Sequence, residues 1–203
     1  AYLASHLDGH EVTVFDLNLH REAPYRALAR EVARTRPEVI GFSLRNMKVG
    51  RPDLHTDDFG PQQEAIRTAK QVAPDAVIVL GGTAFGLYAE AMMARLPEAD
   101  LGVWGEAEHR FPALLSDLDH PERVRGVYYR RDGTVHYTGA PSGEDWSRLR
   151  HPRRDLLPVA PYAASSAVSV GVQAKRGCGL NCIHCSDTYL SGEGDVLSGY
   201  CRI

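Results

Sequence analysis

The stretch AVIVLGGTAF, residues 76–85, is an unbroken apolar run that ends in two glycines and leads into a helical pattern. Apolar residues without polar alternation are typical of a strand that is buried on both faces, as in a parallel sheet covered by helices. Two glycines directly after such a strand indicate a tight turn, and residues 87–96 then show a helical pattern. The stretch therefore predicts a strand, a turn and a helix of an α/β domain.

The same alternation continues on both sides of this stretch. Further strands are predicted over residues 12–17, 39–43 and 101–104, and further helices over residues 1–7, 23–35, 61–72 and 107–118. A parallel sheet normally starts with a strand, so we expect another strand ahead of the first helical pattern. The alternation predicts a doubly wound, Rossmann-like parallel sheet over residues 1–118.

The carboxyl ends of the predicted strands are the candidate ligand site. Right-handed crossovers place these ends along one edge of a parallel sheet, which is where α/β domains bind their ligands. The candidate residues on the three loops at this edge are Ser43, Leu44, Arg45, Gly81, Gly82, Thr83, Ala84, Phe85, Gly105 and Glu106.

The pattern changes after residue 118. Residues 126–138 alternate around Asp132-Gly133, a dipeptide typical of two-residue hairpin turns, so residues 127–129 are predicted to pair with residues 135–137. Four prolines then predict an extended linker over residues 139–164. The predicted organisation is therefore an α/β domain to residue 118, a hairpin and linker over residues 119–165, and a second unit over residues 166–203.

Three cysteines follow another predicted strand, residues 169–173, with the spacing Cys178-x-x-x-Cys182-x-x-Cys185. Three thiolates on so short a loop can turn toward one metal centre, and a four-iron cluster held by three thiolates keeps one iron open for a small ligand. The alternative is a structural zinc site with Cys201 or His184 as fourth ligand. Zinc sites more often show two closely spaced cysteine pairs, which favours the cluster.

This cysteine loop resembles the signature of the radical S-adenosylmethionine family, in which it follows the first strand of a TIM-type barrel. The resemblance implies that Cys178, Cys182 and Cys185 hold a 4Fe-4S cluster and that S-adenosylmethionine binds the open iron, with His184 beside it. It gives Cys201 no role. An external electron donor, such as flavodoxin or ferredoxin, would reduce the cluster, and S-adenosylmethionine would be cleaved to a deoxyadenosyl radical. Residues 166–203 would then be the amino-terminal piece of that barrel.

The α/β part resembles the cobalamin-binding domain that precedes the radical module in one class of these enzymes. The resemblance rests on the succession of strand ends at residues 9–17, 40–43, 80–85 and 104–108, and on the linker at residues 152–162. It implies that cobalamin, and hence cobalt, binds at the carboxyl edge, where Gly81, Gly82 and Gly105 would leave room for the corrin and its nucleotide tail.

One segment departs from the best-known corrinoid pattern. Asp53-Leu54-His55 resembles the segment that supplies a histidine ligand to cobalt in other corrinoid proteins, but it lacks the glycine of that pattern. It also lies after Ser43, whereas the pattern precedes the corresponding strand. We therefore expect His55 to be a loop residue and expect no histidine ligand on cobalt.

The two resemblances together imply a cobalamin-dependent radical S-adenosylmethionine enzyme, a transferase that methylates an unactivated carbon or phosphorus of a small-molecule substrate. No catalytic residue is predicted beyond the cluster loop. A chain of 203 residues holds one domain and part of a second, so this length alone is expected to be inactive. The alternative is a non-catalytic, flavodoxin-like binding or sensor module with a zinc-stapled cysteine tail.

Composition and charge argue against other classes. A net charge of −3 with interspersed acids and bases gives no broad cationic face, so no nucleic-acid partner is expected. The apolar runs are too short to cross a bilayer and the first residues do not resemble a secretion signal. A cytoplasmic protein with no membrane partner is therefore expected, and clustered cysteines in that compartment favour metal binding over disulfides.

Overall fold

The computed structural model describes residues 1–45, 59–141 and 145–164. The chain divides into two compact units, of which the larger is Phe15–Ala140. The smaller unit combines Ala1–Val14 with the chain from Pro141 onward. In the described part of the chain no helix has both the length and the apolar character needed to cross a membrane.

A five-stranded sheet forms the centre of the larger unit, with the strands in chain order from one edge to the other. The strands are β1 (Val39–Ser43), β2 (Val77–Gly81), β3 (Leu101–Val103), β4 (Val127–Arg131) and β5 (Thr134–Tyr137). β1, β2 and β3 are parallel, with Ser43 opposite Gly81 and Leu80 opposite Gly102. β4 runs antiparallel to β3, and β5 antiparallel to β4. The alternation of strands and helices thus gives the α/β, Rossmann-like fold predicted from the sequence.

The described residues of the larger unit, 15–45 and 59–140, also form four α-helices. They are α1 (Pro24–Thr35), α2 (Gly60–Val72), α3 (Thr83–Arg95) and α4 (Arg110–Ser116). Proline lies in the first turn of α1 and of α2, where its fixed φ suits a helix and its missing N–H costs no hydrogen bond. α1 packs against α2, and the residues that these two helices bury are Leu28, Val32, Ala65, Ile66 and Ala69.

Within the core, β3 and α3 approach each other closely at Gly102 and Phe85. Phe85 is fully buried, and a Cβ atom added to Gly102 would lie 2.2 Å from its Cζ atom. Phe85 also meets the ring of Tyr128 edge to face, with 5.9 Å between the ring centroids. Glycine at position 102 therefore lets Phe85 fill the space between α3 and the sheet, because any side chain there would occupy the position of the ring.

The predicted hairpin is confirmed, and it is part of the main sheet. Tyr129 pairs with His136, and Asp132 and Gly133 at the turn have φ values of 51° and 75°, as a two-residue hairpin turn requires. Instead of standing apart as a ribbon, the hairpin continues the sheet, because Val127 of β4 pairs with Val103 of β3. The side chain of Arg130 also donates hydrogen bonds from Nη2 to carbonyl oxygens at the end of α3, those of Met93 (2.6 Å) and Leu96 (3.1 Å).

The strand predicted over residues 12–17 is wrong. Residues 11–16 have no regular secondary structure, and Leu17–His20 is a short 3-10 helix. The Asp16 carboxylate accepts a hydrogen bond from the backbone N–H of Asn18 at 3.0 Å, which favours a turn over a strand. Phe15 and Leu17 are partly buried and pack against the core, so the apolar pattern correctly indicated contact with the core but not strand pairing.

In the described residues of the smaller unit, 1–14, 141 and 145–164, the regular structure is limited to short helical segments. It contains 3-10 helices at Leu3–His6, Trp146–Arg148 and Arg154–Leu156 and a short helix α5 (Val159–Ala163). The Arg150 side chain donates from Nη1 to the carbonyl oxygen of Ser5 (2.9 Å) and to Oδ1 of Asp8 (2.7 Å). The expectations of an extended linker over residues 139–164 and of a regular helix over residues 1–7 are therefore wrong. Residues 1–8 and the segment that contains Arg150 contact each other, because the Arg150 side chain forms hydrogen bonds with Ser5 and Asp8.

Candidate ligand site at the carboxyl edge of the sheet

The loop after β1 is joined to the start of α3 by two backbone hydrogen bonds. The N–H of Leu44 donates to the carbonyl oxygen of Gly81 at 2.7 Å, and the carbonyl oxygen of Leu44 accepts from the N–H of Ala84 at 2.9 Å. Leu44 is itself buried. Two of the three predicted loops therefore form one connected backbone structure at the carboxyl edge.

Gly82 allows this junction to close. Its backbone has a φ of 92°, and a Cβ atom added to it would lie 2.6 Å from the carbonyl oxygen of Leu44 and 2.9 Å from its nitrogen. A backbone neighbour cannot swing aside as the end of a flexible side chain can. The structure therefore gives Gly82 a packing role that does not depend on any ligand, in addition to the room for a nucleotide tail expected from the sequence.

The other two candidate glycines differ from Gly82. A Cβ atom on Gly81 would meet only the carbonyl oxygen of Val103 within 4 Å, at an ordinary contact distance of 3.7 Å. Gly105 has a φ of 73°, and the nearest atom to an added Cβ is Nη2 of Arg110 at 3.5 Å. Gly105 is thus favoured by its left-handed backbone conformation, whereas the space beside Gly81 would accept a methyl group.

The loop after β3 is joined to α3 by Trp104, a residue that the sequence did not single out. Its indole Nε1 donates to the carbonyl oxygen of Gly86 at 2.9 Å, and its backbone N–H donates to Gly126 at 2.8 Å. α3 has non-helical dihedral angles at Tyr88, two residues further on. A side chain that enters the hydrogen-bond ladder is a known cause of such kinks. The only sequence signal was an indole directly after a strand, which needs an acceptor when it is partly buried.

The ten candidate residues at this edge differ in their exposure. Ser43, Arg45 and Thr83 are exposed, and Gly81, Gly82, Gly105 and Glu106 are half-buried. Leu44, Ala84 and Phe85 are buried and belong to the core. Thr83, Ala84 and Phe85 also form the first turn of α3, where the sequence predicted a loop. The groups presented to a ligand here are therefore hydroxyl, guanidinium, carboxylate and backbone groups. The buried residues Leu44, Ala84 and Phe85 support that edge from the core.

The predicted metal ligands lie outside the described residues. Cys178, Cys182 and Cys185, together with His184, His55 and Cys201, all fall in ranges that the structure does not describe. Within residues 1–45, 59–141 and 145–164, no group of three or more histidine, cysteine or acidic side chains is arranged to hold a metal ion. The ten candidate residues at the carboxyl edge include neither histidine nor cysteine, so they offer hydrogen bonds to a ligand and no soft metal donor.

Comparison with known proteins matches much of the chain to a known type of domain. The family described as the B12 binding domain matches residues 1–115. The chain is similar in structure to the radical S-adenosylmethionine methyltransferase TsrM from Kitasatospora setae, which was solved with cobalamin and a 4Fe-4S cluster bound. The TM-score is 0.68 at 20% sequence identity, over 92% of this chain and 38% of that one. At this identity the likeness shows the fold.

Two curated relatives are methyltransferases by name. An uncharacterised methyltransferase of Pyrococcus horikoshii is 26% identical over 198 residues, which is 95% of this chain and 41% of that protein. The 2-(S-pantetheinyl)-carbapenam-3-carboxylate methyltransferase of Streptantibioticus cattleyicolor is 30% identical over 138 residues, which is 63% of this chain and 20% of that protein. The chain thus spans less than half the length of either relative.

Proposed function

The chain belongs to the B12-binding domain family, and from that premise we propose that it binds cobalamin at the carboxyl edge of its sheet. The observation that carries this proposal is the junction of the three loops at that edge. Backbone hydrogen bonds of Leu44 connect the loop after β1 to the end of β2 and the start of α3. The indole of Trp104 connects the loop after β3 to α3. A site whose loops are fixed to one another before the ligand arrives loses less conformational entropy on binding.

The groups at this edge fit a corrin. The periphery of a corrin carries amide groups, which pair with hydroxyl, carboxylate and backbone groups, and Ser43, Thr83 and Glu106 supply these at exposed or half-buried positions. Arg45 adds a charged donor suited to the phosphate of the nucleotide tail. Gly81 at the strand end has room for no more than a methyl group in ordinary contact with the carbonyl oxygen of Val103, so the backbone there is accessible. Cobalamin, when bound, supplies a cobalt centre that can carry a methyl group; these residues bind and orient it.

For the whole protein we propose a cobalamin-dependent radical S-adenosylmethionine methyltransferase. The methyltransferase names of both relatives and the cobalamin-bound structural neighbour support this proposal, as does the cysteine spacing. Cys178, Cys182 and Cys185 would hold the 4Fe-4S cluster, and His184 would lie beside S-adenosylmethionine. A small-molecule substrate and an external electron donor, such as flavodoxin or ferredoxin, complete the proposed reaction, which we place in the cytoplasm.

A tryptophan at position 83 is expected to weaken cobalamin binding at least tenfold. Thr83 is exposed and is the first residue of α3, so an indole there would occupy the proposed corrin position. Thr134→Trp is the matched control. Thr134 is also exposed, but it begins β5 opposite Arg131, at the amino edge of the parallel strands. Affinity is measured by the change in the absorption spectrum of hydroxocobalamin on binding.

The control variant should bind hydroxocobalamin as tightly as the unsubstituted protein. Circular dichroism of both variants establishes that they are folded. A folded Thr83→Trp protein with undiminished affinity would contradict the placement of the corrin at this edge.

A further inference from the structure

A second concave site lies on the larger unit, on segments that contain none of the ten candidate residues of the carboxyl edge. It has a volume of about 440 Å³ and is formed by the 3-10 helix Leu17–His20, the turn that follows it and the first two turns of α1. Its lining residues are Asn18, Leu19, His20, Arg21, Glu22, Ala23, Arg26, Ala27 and Arg30. It is open to solvent, and Arg21, Arg26 and Arg30 are all exposed.

The charge of this concavity is strongly asymmetric. Three arginines, Arg21, Arg26 and Arg30, line it together with a single carboxylate, that of Glu22. His20 adds a fourth nitrogen group, and its ring is stacked on Phe15 with 4.7 Å between the centroids. The chain as a whole carries a net charge of −3, so this positive concavity is a local feature and not a reflection of overall composition.

Part of this arrangement is held in place before any ligand binds. The Arg21 side chain donates from Nε to the carbonyl oxygen of Asn18 at 3.2 Å, and the Asp16 carboxylate accepts from the backbone N–H of Asn18. Because Nε of Arg21 is engaged in the turn, its terminal nitrogens remain the groups with donors to offer. The stacked His20 ring and the hydrogen-bonded turn at Asn18 therefore form one side of the concavity, and α1 forms the other.

The arginines of α1 form a useful internal comparison. Arg26, Arg30 and Arg34 are spaced four residues apart, which places them on neighbouring turns of one helix face. Arg34 lies outside the concavity and is paired with Glu31, with 2.6 Å between Nη2 and Oε1. The hydrogen bond from Arg34 lowers the pKa of Glu31 below its usual value. By contrast, neither Arg26 nor Arg30 forms an ion pair with any residue in the described ranges.

Like charges on successive helical turns repel each other, and among the described residues only Arg34 of these three arginines has an acid paired with it. An external anion would neutralise the other two. Guanidinium groups present a planar fork of donors that matches phosphate oxygens in pairs. We propose that this concavity binds a small phosphate-bearing ligand, through residues that are not among the ten candidates for cobalamin binding.

Inorganic pyrophosphate is the probe that tests this site. Isothermal titration calorimetry is done at the same ionic strength for every variant, because the attraction between pyrophosphate and surface arginines depends on salt. We expect the unsubstituted protein to bind pyrophosphate and the double variant Arg26→Gln, Arg30→Gln to bind it at least tenfold more weakly. Arg34→Gln is the matched control on the same helix, and it should retain the original affinity.

Three results would overturn the proposal. They are failure of the unsubstituted protein to bind millimolar pyrophosphate, equal binding by the double variant, and binding of polyglutamate in place of pyrophosphate. The last result would assign the surface to an acidic protein partner. Thr83→Trp should leave pyrophosphate binding unchanged, so failure of the cobalamin proposal and failure of this one give different results. Circular dichroism of the double variant excludes unfolding as the cause of a lost affinity.

Discussion

Alanine in place of Cys178, Cys182 or Cys185 is expected to abolish incorporation of iron, whereas Cys201→Ala should leave it unchanged. The reason is the proposed ligand set. Removing one of three thiolates leaves a cubane cluster with two open irons, which the protein cannot retain, and Cys201 lies outside the family spacing. Iron and acid-labile sulfide per chain, measured after anaerobic reconstitution, check this expectation.

The same measurement separates the proposed enzyme from the binding module with a zinc-stapled tail. Zinc in place of iron in the unsubstituted protein would support the binding module. If Cys201→Ala lost iron as completely as the other three variants, the cluster would have four protein ligands, and the open iron required for S-adenosylmethionine would not exist.

Gly82→Ala is expected to destabilise the larger unit by about 2–5 kcal/mol, the combined effect of forcing a contact into packed structure and of placing a side chain at positive φ. The added Cβ would lie 2.6 Å from the carbonyl oxygen of Leu44, a backbone atom that already accepts a hydrogen bond from Ala84. Relief of this contact requires the loop after β1 to move. The free energy of unfolding, obtained from urea titration, measures the loss.

Gly81→Ala is the matched control for this effect, since the two glycines are adjacent and only one of them has a close backbone neighbour. The methyl group of Gly81→Ala would make an ordinary contact of 3.7 Å, so stability should change by less than about 1 kcal/mol. Equal stability of the two variants would show that Leu44 moves away without cost. Because Gly82 supports the fold itself, Thr83 is the better position at which to test the cobalamin site.

Much of the sheet could be predicted from the sequence. β1, β2 and β3 follow unbroken apolar runs, a pattern typical of strands in a sheet covered by helices, and the Asp132-Gly133 turn identified the hairpin. The failure over residues 12–17 has a physical reason. An apolar pattern reports that side chains are buried, but whether the backbone pairs with another strand depends on neighbours that a local pattern does not contain.

The candidate site was predictable as a set of loops but not as a set of contacts. Strand ends placed Ser43, Gly81 and Gly105 at one edge of the sheet correctly. Phe85 turns into the core because α3 begins earlier than its pattern suggested. Leu44 and Trp104 hold the loops together through contacts between residues 18 to 40 positions apart. Such contacts are tertiary and leave no spacing in the sequence.

The position of Trp104 means that its fluorescence would report binding of a corrin at the carboxyl edge. Its indole lies at the carboxyl edge, fixed to Gly86, and corrins absorb light in the range where indoles emit. A corrin bound at that edge would therefore accept the excitation energy of Trp104, and the emission would fall as the site fills. The chain has two tryptophans, so Trp146→Phe leaves Trp104 as the single indole emitter. Occupancy, exchange rates and competition between corrinoids then become readable by fluorescence without any attached dye.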